Sequence, residues 1–403
     1  MDSIKRSGTA AIIAEYNPFH NGHGLHIART RELCGAENVV VIMSGNYVQR
    51  GDCAICDKFS RTRMALDGGA DLVLELPLPF ACAGAEGFAR GGVGIADALG
   101  GVDYLSFGME CGSADELTAA AKAVSDGSVK PELDRLLGEG LTFAAARAEA
   151  VRRVCGDRAA DILREPNNIL AVEYRRELHR IGSGIVPLGI KREGAAHDSQ
   201  QPSGQIASAS AVRRLFAEGN RKEAESFLPD SSVRELERLA KEGGAPAELK
   251  RCERAILARI RCMTREEIAR LPDISEGLEN RIYVCSRTAR SLGELYDAIK
   301  TKRYSHARIR RIILAAFLGL RREDADLPRY IRLLGMNDRG KRLLSRAVPK
   351  LPVISSYRQA MALPENARNL YLLECRADDL WGLTTPTVQP CGADMTSKLI
   401  VVK

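Results

Sequence analysis

The chain has 403 residues, of which 45% are hydrophobic and 28% charged, a composition typical of a globular protein with two or three domains. Its net charge is +7, and the apolar stretch 10–14 after the polar N-terminus is too short for a membrane span or a secretory signal. Eleven irregularly spaced cysteines, with Cys53 and Cys56 as the only Cys-x-x-Cys pair, fit neither a disulfide framework nor a zinc finger, so we expect a reduced cytoplasmic protein without a metal site.

Residues 1–200 alternate between short β-branched runs and helical stretches. This alternation predicts a Rossmann-like, doubly wound parallel α/β sheet, in which ligands lie beyond the carboxyl ends of the strands at a switch in strand order. The predicted strands are 9–16, 38–44, 71–76, 103–108 and 184–191. The predicted helices are 22–34, 57–69, 85–99, 114–125, 132–155 and 166–181.

The segment that follows the first strand predicts an anion site. Asn17 precedes a proline and is biased to extended backbone, which suits the end of a strand. Asn21 is a good helix N-cap, and Gly22 allows a ligand to approach the backbone. A helix that begins there presents unbonded N–H groups to an anion, and His20 and His23, three residues apart, share one face of its first turn.

Other polar residues follow the later predicted strands. The loop 44–51 has a glycine near each end and polar groups between them, which suits a substrate loop as well as a plain surface loop. Gly108 ends the fourth strand, and two asparagines, Asn167 and Asn168, open a helix that one of them is able to cap. Ser208 caps a further helix or, together with Ser210 and Arg213, holds phosphates.

Beyond about residue 205 the strand signal disappears, and charged helical sequence takes over. The clearest helix is 300–320, with an apolar stripe and a crowd of basic residues in its first half. Residues 281–350 contain 18 Lys and Arg against 6 Asp and Glu, a net +12, which leaves −5 for the remainder. That concentration indicates a surface for a polyanion, although a solvated helical face is equally compatible. We therefore divide the chain into a catalytic domain, 1–230, and a helical basic domain, 231–403.

The string Ala-Glu-Tyr-Asn-Pro-Phe-His-Asn-Gly-His at 14–23 contains the His-x-Gly-His signature of the nucleotidyltransferase superfamily. The longer string resembles the tRNA(Met) cytidine acetate ligase family. Further matches to that family are the loop 44–51, the Pro-Asn-Asn of 166–168, Lys-Thr-Lys-Arg-Tyr at 300–304 and Leu-Gly-Met-Asn at 334–337. The resemblance thus spans nearly the whole chain; departures are Gly24, where the family has a bulky apolar residue, and the divergent stretch 375–397.

The resemblance implies two sets of binding residues. The ATP-binding set would comprise Ile13, Ala14, Glu15, Tyr16, Asn17, Pro18, Phe19, His20, Asn21, Gly22, His23, Gly24, Leu25, His26, Gly108, Asn167, Asn168, Arg192, Ser208, Ser210 and Arg213. The tRNA-binding set would comprise Lys300, Lys302, Arg303, Tyr304, Arg308, Arg310 and Arg311, with Tyr304 as a stacking surface for a base.

The resemblance also implies a two-step reaction with ATP, acetate and elongator tRNA(Met). Acetate attacks the α-phosphate of ATP, with Mg²⁺ carried by the nucleotide, and acetyl-adenylate and pyrophosphate form. His20 and His23 would be the catalytic residues that stabilise the phosphate, while Arg192, Ser208, Ser210 and Arg213 would hold the pyrophosphate. The exocyclic amine of the wobble cytidine then attacks the acetyl carbonyl and becomes N4-acetylcytidine.

Two other functions remain open at this stage. An adenylyltransferase for a small phosphorylated metabolite has the same His-x-Gly-His chemistry, but it has no use for a segment of charge +12. An RNA-binding protein with a vestigial nucleotide site is the second alternative, and the intact His20, His23 and Arg213 count against it. Acetate, rather than another small carboxylate, rests on the resemblance alone, and the sequence does not predict the oligomeric state.

Overall fold

One β-sheet organises the protein. The structure is a computed structural model that describes residues 8–112, 114–125, 127–163, 165–191, 207–275 and 277–403. The described strands are β1 (Gly8–Ala14), β2 (Ala36–Ser44), β3 (Tyr47–Val48), β4 (Asp52–Cys53), β5 (Leu72–Leu76), β6 (Tyr104–Met109), β7 (Val186–Lys191), β8 (Ile331–Met336), β9 (Val353–Ile354) and β10 (Ile400–Val401).

Helices cover both faces of this sheet and form most of the C-terminal part. In the first half they are α1 (Asn21–Cys34), α2 (Lys58–Asp67), α3 (Leu78–Ala81), α4 (Ala85–Leu99), α5 (Ala114–Ser125), α6 (Lys130–Gly138), α7 (Phe143–Cys155), α8 (Asp157–Ile162) and α9 (Pro166–Arg180). They continue with α10 (Ala209–Ala217), α11 (Arg221–Glu225), α12 (Asp230–Lys241), α13 (Glu253–Cys262), α14 (Arg265–Ala269), α15 (Leu278–Thr288), α16 (Leu292–Ile299), α17 (His306–Leu318), α18 (Asp338–Arg346), α19 (Tyr357–Met361), α20 (Glu365–Trp381) and α21 (Ala393–Thr396). Short 3-10 helices lie at Leu249–Cys252, Arg322–Ala325 and Gly382–Thr384.

The sheet has the strand order β10-β8-β5-β2-β1-β6-β7, with β9 beside β8, and β3 and β4 form a separate hairpin. β1 pairs in parallel with β2 on one side and with β6 on the other, so strand order switches beside β1. Such a switch opens a crevice at the carboxyl ends of the strands. The predicted doubly wound α/β fold with a mainly helical C-terminal part is therefore confirmed.

The five predicted strands are also confirmed, each end within two residues of the expected position. The predicted helix 132–155 is instead two helices, because the chain turns at 139–142 and Thr142 caps α7 by accepting the N–H of Ala145. The helix expected over 300–320 begins at His306, where Ser305 caps it, and ends before Gly319.

The expectation that no strand follows residue 205 is wrong. β8 enters the main sheet antiparallel to β5, and β9 and β10 pair with β8 in parallel. Thus the C-terminal part supplies three strands to the sheet of the N-terminal part, while the division at residue 230 stays a prediction. No helix in the described ranges is long and apolar enough to cross a membrane.

Side chains of the central strands pack on both faces of the sheet. In β2, Val40 and Ile42 belong to the cluster beneath α4 and α9, whereas Val39, Val41 and Met43 join the cluster beneath α1 and α2. All five are fully buried, as expected for a parallel strand covered by helices on both sides. This packing holds the carboxyl ends of the strands in fixed positions.

A buried ionic cluster joins the sheet to the C-terminal helices. Lys58 Nζ lies 2.8 Å from Glu75, 2.7 Å from Asp378 and 2.7 Å from Asp394. Arg332 on β8 makes a further 2.6 Å ion pair with Asp394. Removing one partner of such a cluster leaves an uncompensated buried charge, which costs about 3–5 kcal/mol. The cluster therefore fixes how the C-terminal part is seated on the sheet.

Candidate functional site

A cavity of about 520 Å³ lies at the carboxyl ends of β1, β6 and β7, where strand order switches. It is lined by most of the predicted nucleotide-binding residues, namely Ile13, Ala14, Glu15, Tyr16, Asn17, His20, Gly22, His23, Leu25, His26, Gly108, Asn167, Ser208, Ser210 and Arg213. Pro18, Phe19, Asn21, Gly24 and Asn168 are not among the lining residues. Arg192, predicted to bind phosphate, lies outside the described residues.

The turn between β1 and α1 is held by aromatic packing. Tyr16 has a φ of +48°, a left-handed conformation that is rare for a residue with a side chain and that is found preferentially at functional sites. Its ring lies 4.9 Å from that of Phe19, edge to face, and 4.6 Å from that of His23. Phe19 is fully buried, so it supports the site from the core without lining the cavity.

His20 and His23 stack on each other, with ring centroids 3.6 Å apart. His20 Nδ1 accepts the backbone N–H of Gly22, and His23 Nδ1 accepts that of His20. In a neutral imidazole an accepting Nδ1 places the proton on Nε2, so each ring presents an Nε2–H donor. The predicted sharing of one helix face is confirmed, whereas the predicted cap, Asn21, is wrong because His20 is the N-cap of α1.

Asn17 connects three parts of the site. Its Oδ1 accepts the N–H of Ile55 at 2.8 Å, and its carbonyl accepts Arg213 Nη1 at 2.6 Å. Its Nδ2 has no hydrogen-bond partner within the described part of the chain, although only 2% of the residue is exposed. An unpaired buried donor costs about 1–3 kcal/mol, which makes this Nδ2 a candidate for a ligand contact.

The start of α10 faces the same cavity. Ser208 caps this helix by accepting the N–H of Ala211 at 3.2 Å, and its hydroxyl lies 3.0 Å from that of Ser210. Arg213 follows one turn later. Burial lowers the pKa of the Arg213 guanidinium, while the carboxylates of Glu15 and Asp52 raise it. Ser208 therefore caps α10, and Arg213 reaches the turn between β1 and α1, where it donates to the Asn17 carbonyl.

The two asparagines that open α9 have different surroundings. Asn167 lines the cavity and donates through Nδ2 to the carboxylate of Glu110. Asn168 is fully buried; its Oδ1 accepts the Glu110 N–H at 3.0 Å, and its Nδ2 donates to the Cys111 carbonyl at 3.1 Å. Of the pair, Asn167 is thus the candidate nucleotide contact, and Asn168 fastens β6 to α9.

Sequence reasoning missed several lining residues. Arg29, Gln49, Arg50 and Lys191 come from α1, the β3–β4 hairpin and the end of β7. Gln49 and Arg50 belong to the loop 44–51, and the polar composition of that loop was the sequence feature that could have predicted their place in the site. No sequence pattern predicted Arg29. With Arg213 they place four cationic side chains around a cavity in which Glu15 is the only acidic side chain among the described lining residues. Such a site suits a polyphosphate.

The predicted tRNA-binding residues fall into two groups. Lys300, Lys302, Arg303 and Arg310 are exposed. Arg308 donates to the Asp273 carbonyl at 2.7 Å and to Ser275, and Arg311 forms a 3.4 Å ion pair with Asp273. Tyr304 is only 6% exposed, and the guanidinium of Arg308 lies 5.3 Å from the centre of its ring. The ring that we expected to stack on a base is therefore covered.

Known proteins resemble this chain over nearly its whole length. The model of the HIGH nucleotidyl transferase family matches residues 8–394. A tRNA(Met) cytidine acetate ligase of a Thermoanaerobacter species is 37% identical over 98% of this chain and 99% of its own, and one of Acetivibrio thermocellus is 37% identical over 97% and 99%.

Two solved structures of Thermotoga maritima TmcAL share the fold. The apo form has a TM-score of 0.93 at 33% identity, over 98% of this chain and 99% of that one. A form described as bound with alpha-thio ATP has a TM-score of 0.91 at 32% identity, over 98% and 100%. The chain therefore belongs to the tRNA(Met) cytidine acetate ligase family of HIGH nucleotidyl transferases.

Proposed function

We propose that this protein uses ATP and acetate to acetylate the exocyclic amine of the wobble cytidine in elongator tRNA(Met). The observation that carries the proposal is the paired Nε2–H donors of His20 and His23 on a cationic cavity, in a chain that matches its relatives over nearly their full length. A solved relative is described as bound with an ATP analogue, which supports ATP as the nucleotide. ATP and tRNA are cytoplasmic, and we place the protein there.

In the first step an acetate oxygen attacks the α-phosphorus of ATP, the bond to the β-phosphate oxygen breaks, and acetyl-adenylate and pyrophosphate form. Negative charge grows on the non-bridging oxygens of the α-phosphate, where the two Nε2–H groups would donate hydrogen bonds. Arg213, Ser208 and Ser210 would hold the β- and γ-phosphates that leave. Preorganised donors of this kind contribute about 10²–10³-fold each.

In the second step the cytidine amine attacks the acetyl carbonyl carbon, and the bond from that carbon to the AMP oxygen breaks. The amine loses a proton, and AMP is released. The mixed anhydride is already activated, so no cysteine nucleophile is required. Mg²⁺ would enter on the phosphates of ATP and offset their charge, and Glu15 is the carboxylate among the described lining residues that would be available to it.

The exposed basic residues before and on α17 would hold the tRNA backbone by its phosphates. A metabolite adenylyltransferase and a vestigial nucleotide site are the competing functions. Neither explains why the match to the acetate ligases covers 98% of this chain, the basic C-terminal part included.

The test is incorporation of labelled acetate into bulk tRNA by the purified protein, with and without ATP. We expect ATP-dependent label that digests to N4-acetylcytidine. Absence of label, with pyrophosphate released instead when small phosphate esters are added, would identify an adenylyltransferase for a metabolite. Absence of both label and ATP binding would identify an RNA-binding protein with a vestigial site.

A further inference from the structure

A second cavity, of about 700 Å³, lies next to the nucleotide cavity. The two cavities share Arg213, which lines both. The β3–β4 hairpin contributes to both cavities: Gln49 and Arg50 at its tip line the nucleotide cavity, while Asp52 lines the second one. The second cavity therefore adjoins the site where the acyl group would be activated.

The second cavity is also continuous with the basic segment. Gly51, at the hairpin tip, has a φ of +74°, and a Cβ at this position would lie 2.5 Å from the backbone nitrogen of Arg311. The hairpin is thus seated directly against α17. Arg310, on the same helix, lines the cavity and is exposed, and it forms no ion pair within 4 Å in the described ranges. A nucleic acid held along 300–311 would reach the mouth of this cavity.

Two side chains give the cavity a surface for a flat ring. Tyr296, on α16, is half-buried and lines the cavity. The guanidinium of Arg310 lies 5.7 Å from the centre of its ring. Aromatic rings and guanidinium planes are the groups on which proteins stack the splayed-out bases of single-stranded RNA. Tyr296 is thus half-buried where Tyr304 is buried, and the exposed guanidinium of Arg310 over its ring would be the group that a base meets first.

Three carboxylates line the cavity, those of Asp52, Glu248 and Glu253, and of these Asp52 stands on the hairpin that also lines the nucleotide cavity. Asp52 is exposed to the cavity, and its Oδ1 accepts the Cys53 N–H at 2.8 Å. Desolvation by the surrounding protein raises the pKa of Asp52, while the Cys53 N–H and the guanidinium groups of Arg213 and Arg310 favour the carboxylate. A carboxylate accepts the N4 amine of cytosine, whereas it repels the O4 carbonyl that uracil carries at the same position.

We propose that the second cavity binds the acceptor cytosine of a splayed-out RNA strand, with Tyr296 and Arg310 stacking on the base and Asp52 accepting its exocyclic amine. This assignment rests on the proposed function and extends it, because it names the residues that select cytosine. Arg213, which lines both cavities, would then lie beside the path by which the exocyclic amine reaches the activated acyl group.

The test uses the full-length protein and anticodon stem-loop RNAs with cytosine or uracil at the wobble position. We expect the wild type to bind the cytosine RNA about tenfold more tightly than the uracil RNA, as for one well-made base contact. Asp52→Asn should reduce this preference to less than about twofold and lower acetyl transfer at least tenfold, while acetate-dependent ATP–pyrophosphate exchange persists. Asp297→Asn, which changes an exposed acid that follows Tyr296 in the sequence and does not line the cavity, is the matched control and should keep the preference.

Tyr296 provides a second, independent variant. Tyr296→Leu should lower the affinity for the cytosine RNA and for the uracil RNA by the same factor. Tyr296→Phe, which keeps the aromatic ring, should bind both RNAs as the wild type does. Retention of the cytosine preference in Asp52→Asn, or unaltered binding in Tyr296→Leu, would overturn the assignment even if the wild type acetylates tRNA. Absence of acetate-dependent exchange in the wild type would instead contradict the proposed function.

Discussion

His20 and His23 are coupled through the backbone as well as through their stacked rings, because His23 Nδ1 accepts the N–H of His20 while His20 caps α1. Each ring is thereby fixed in the tautomer that donates from Nε2. The hydrogen bonds at the start of α1 therefore set both the orientation of the two imidazole rings and the nitrogen that carries the proton. A spacing of three residues is what allows both histidines to make these bonds.

Replacement of either histidine should abolish adenylate formation. We expect His20→Ala and His23→Ala each to lower acetate-dependent ATP–pyrophosphate exchange by at least about 10²-fold, because a donor to the α-phosphate is lost. Binding of tRNA, measured by filter retention, should stay within about twofold. His20→Asn keeps an N-cap acceptor and separates loss of the cap from loss of catalysis. The exposed His179 on α9 is the control, and His179→Ala should keep wild-type exchange and tRNA binding. If His20→Ala or His23→Ala lost exchange and tRNA binding to the same extent, the two histidines would not act in adenylate formation alone.

The asparagines of α9 should separate ligand binding from stability. Asn167→Ala removes a cavity-lining amide and should raise the KM for ATP about tenfold with little change in the free energy of unfolding. Asn168→Ala leaves the Glu110 N–H and the Cys111 carbonyl without their buried partner, so the free energy of unfolding should fall by about 1–3 kcal/mol. Urea unfolding and ATP titration of both variants check this, and the reverse assignment of effects would refute it.

Local patterns were sufficient to predict the sheet strands of the first half and the site at their carboxyl ends. Short β-branched runs punctuated by Gly or Pro are specific for buried parallel strands, and β1 and β2 follow that pattern. β8 was missed because Arg332 interrupts its apolar run. That charge is buried because Glu75 on β5 and Asp394, 62 residues later, both pair with it, and no local pattern carries such information.

The site was predictable where it depended on consecutive residues, and less so where it depended on tertiary contacts. Asn21 was the better N-cap by residue preference, yet His20 took the role because His23 reaches back to its N–H. Arg29 and Tyr296 are of interest because each lines a cavity, and each cavity is formed by elements that are distant in the sequence. The covered ring of Tyr304 is the converse case, since Arg308 packs over it from one turn away.

The exposed part of the basic segment should carry tRNA binding. We expect charge reversal of Lys300, Lys302 and Arg303 to weaken tRNA binding and to reduce the slope of log affinity against log salt by roughly 2–3, since each phosphate contact contributes about 0.7–0.9. ATP binding should be unchanged. Reversal of Lys341, Arg342 and Arg346 on α18 removes equal charge from a helix that packs on β2, β5 and β8. An equal loss in both triple variants would mean that total charge, and not this segment, holds the tRNA.

Glu374 should make stability depend on pH. It is 2% exposed, and its Oε1 accepts the Leu78 N–H while Tyr330 donates to its Oε2. Burial, reinforced by the nearby Glu75, raises the pKa of Glu374 from 4.5 to about 7. Between these values the folded protein binds a proton that the unfolded chain has lost, so the free energy of unfolding falls as pH rises from about 4.5 to 7. The fall is roughly 3 kcal/mol for this group and levels off above pH 7.

Glu374→Gln tests this directly, because a glutamine can accept the Leu78 N–H and donate to Tyr330 as the protonated acid does. Urea unfolding of the variant should show a smaller loss of stability between pH 5 and pH 8 than the wild type, with the gain concentrated at pH 8. Burial also raises the pKa of Asp378, so part of the dependence should remain. Glu37→Gln at the exposed edge of β2 is the control. A variant whose stability changes with pH as steeply as that of the wild type would show that Glu374 is ionised in the folded protein throughout this range.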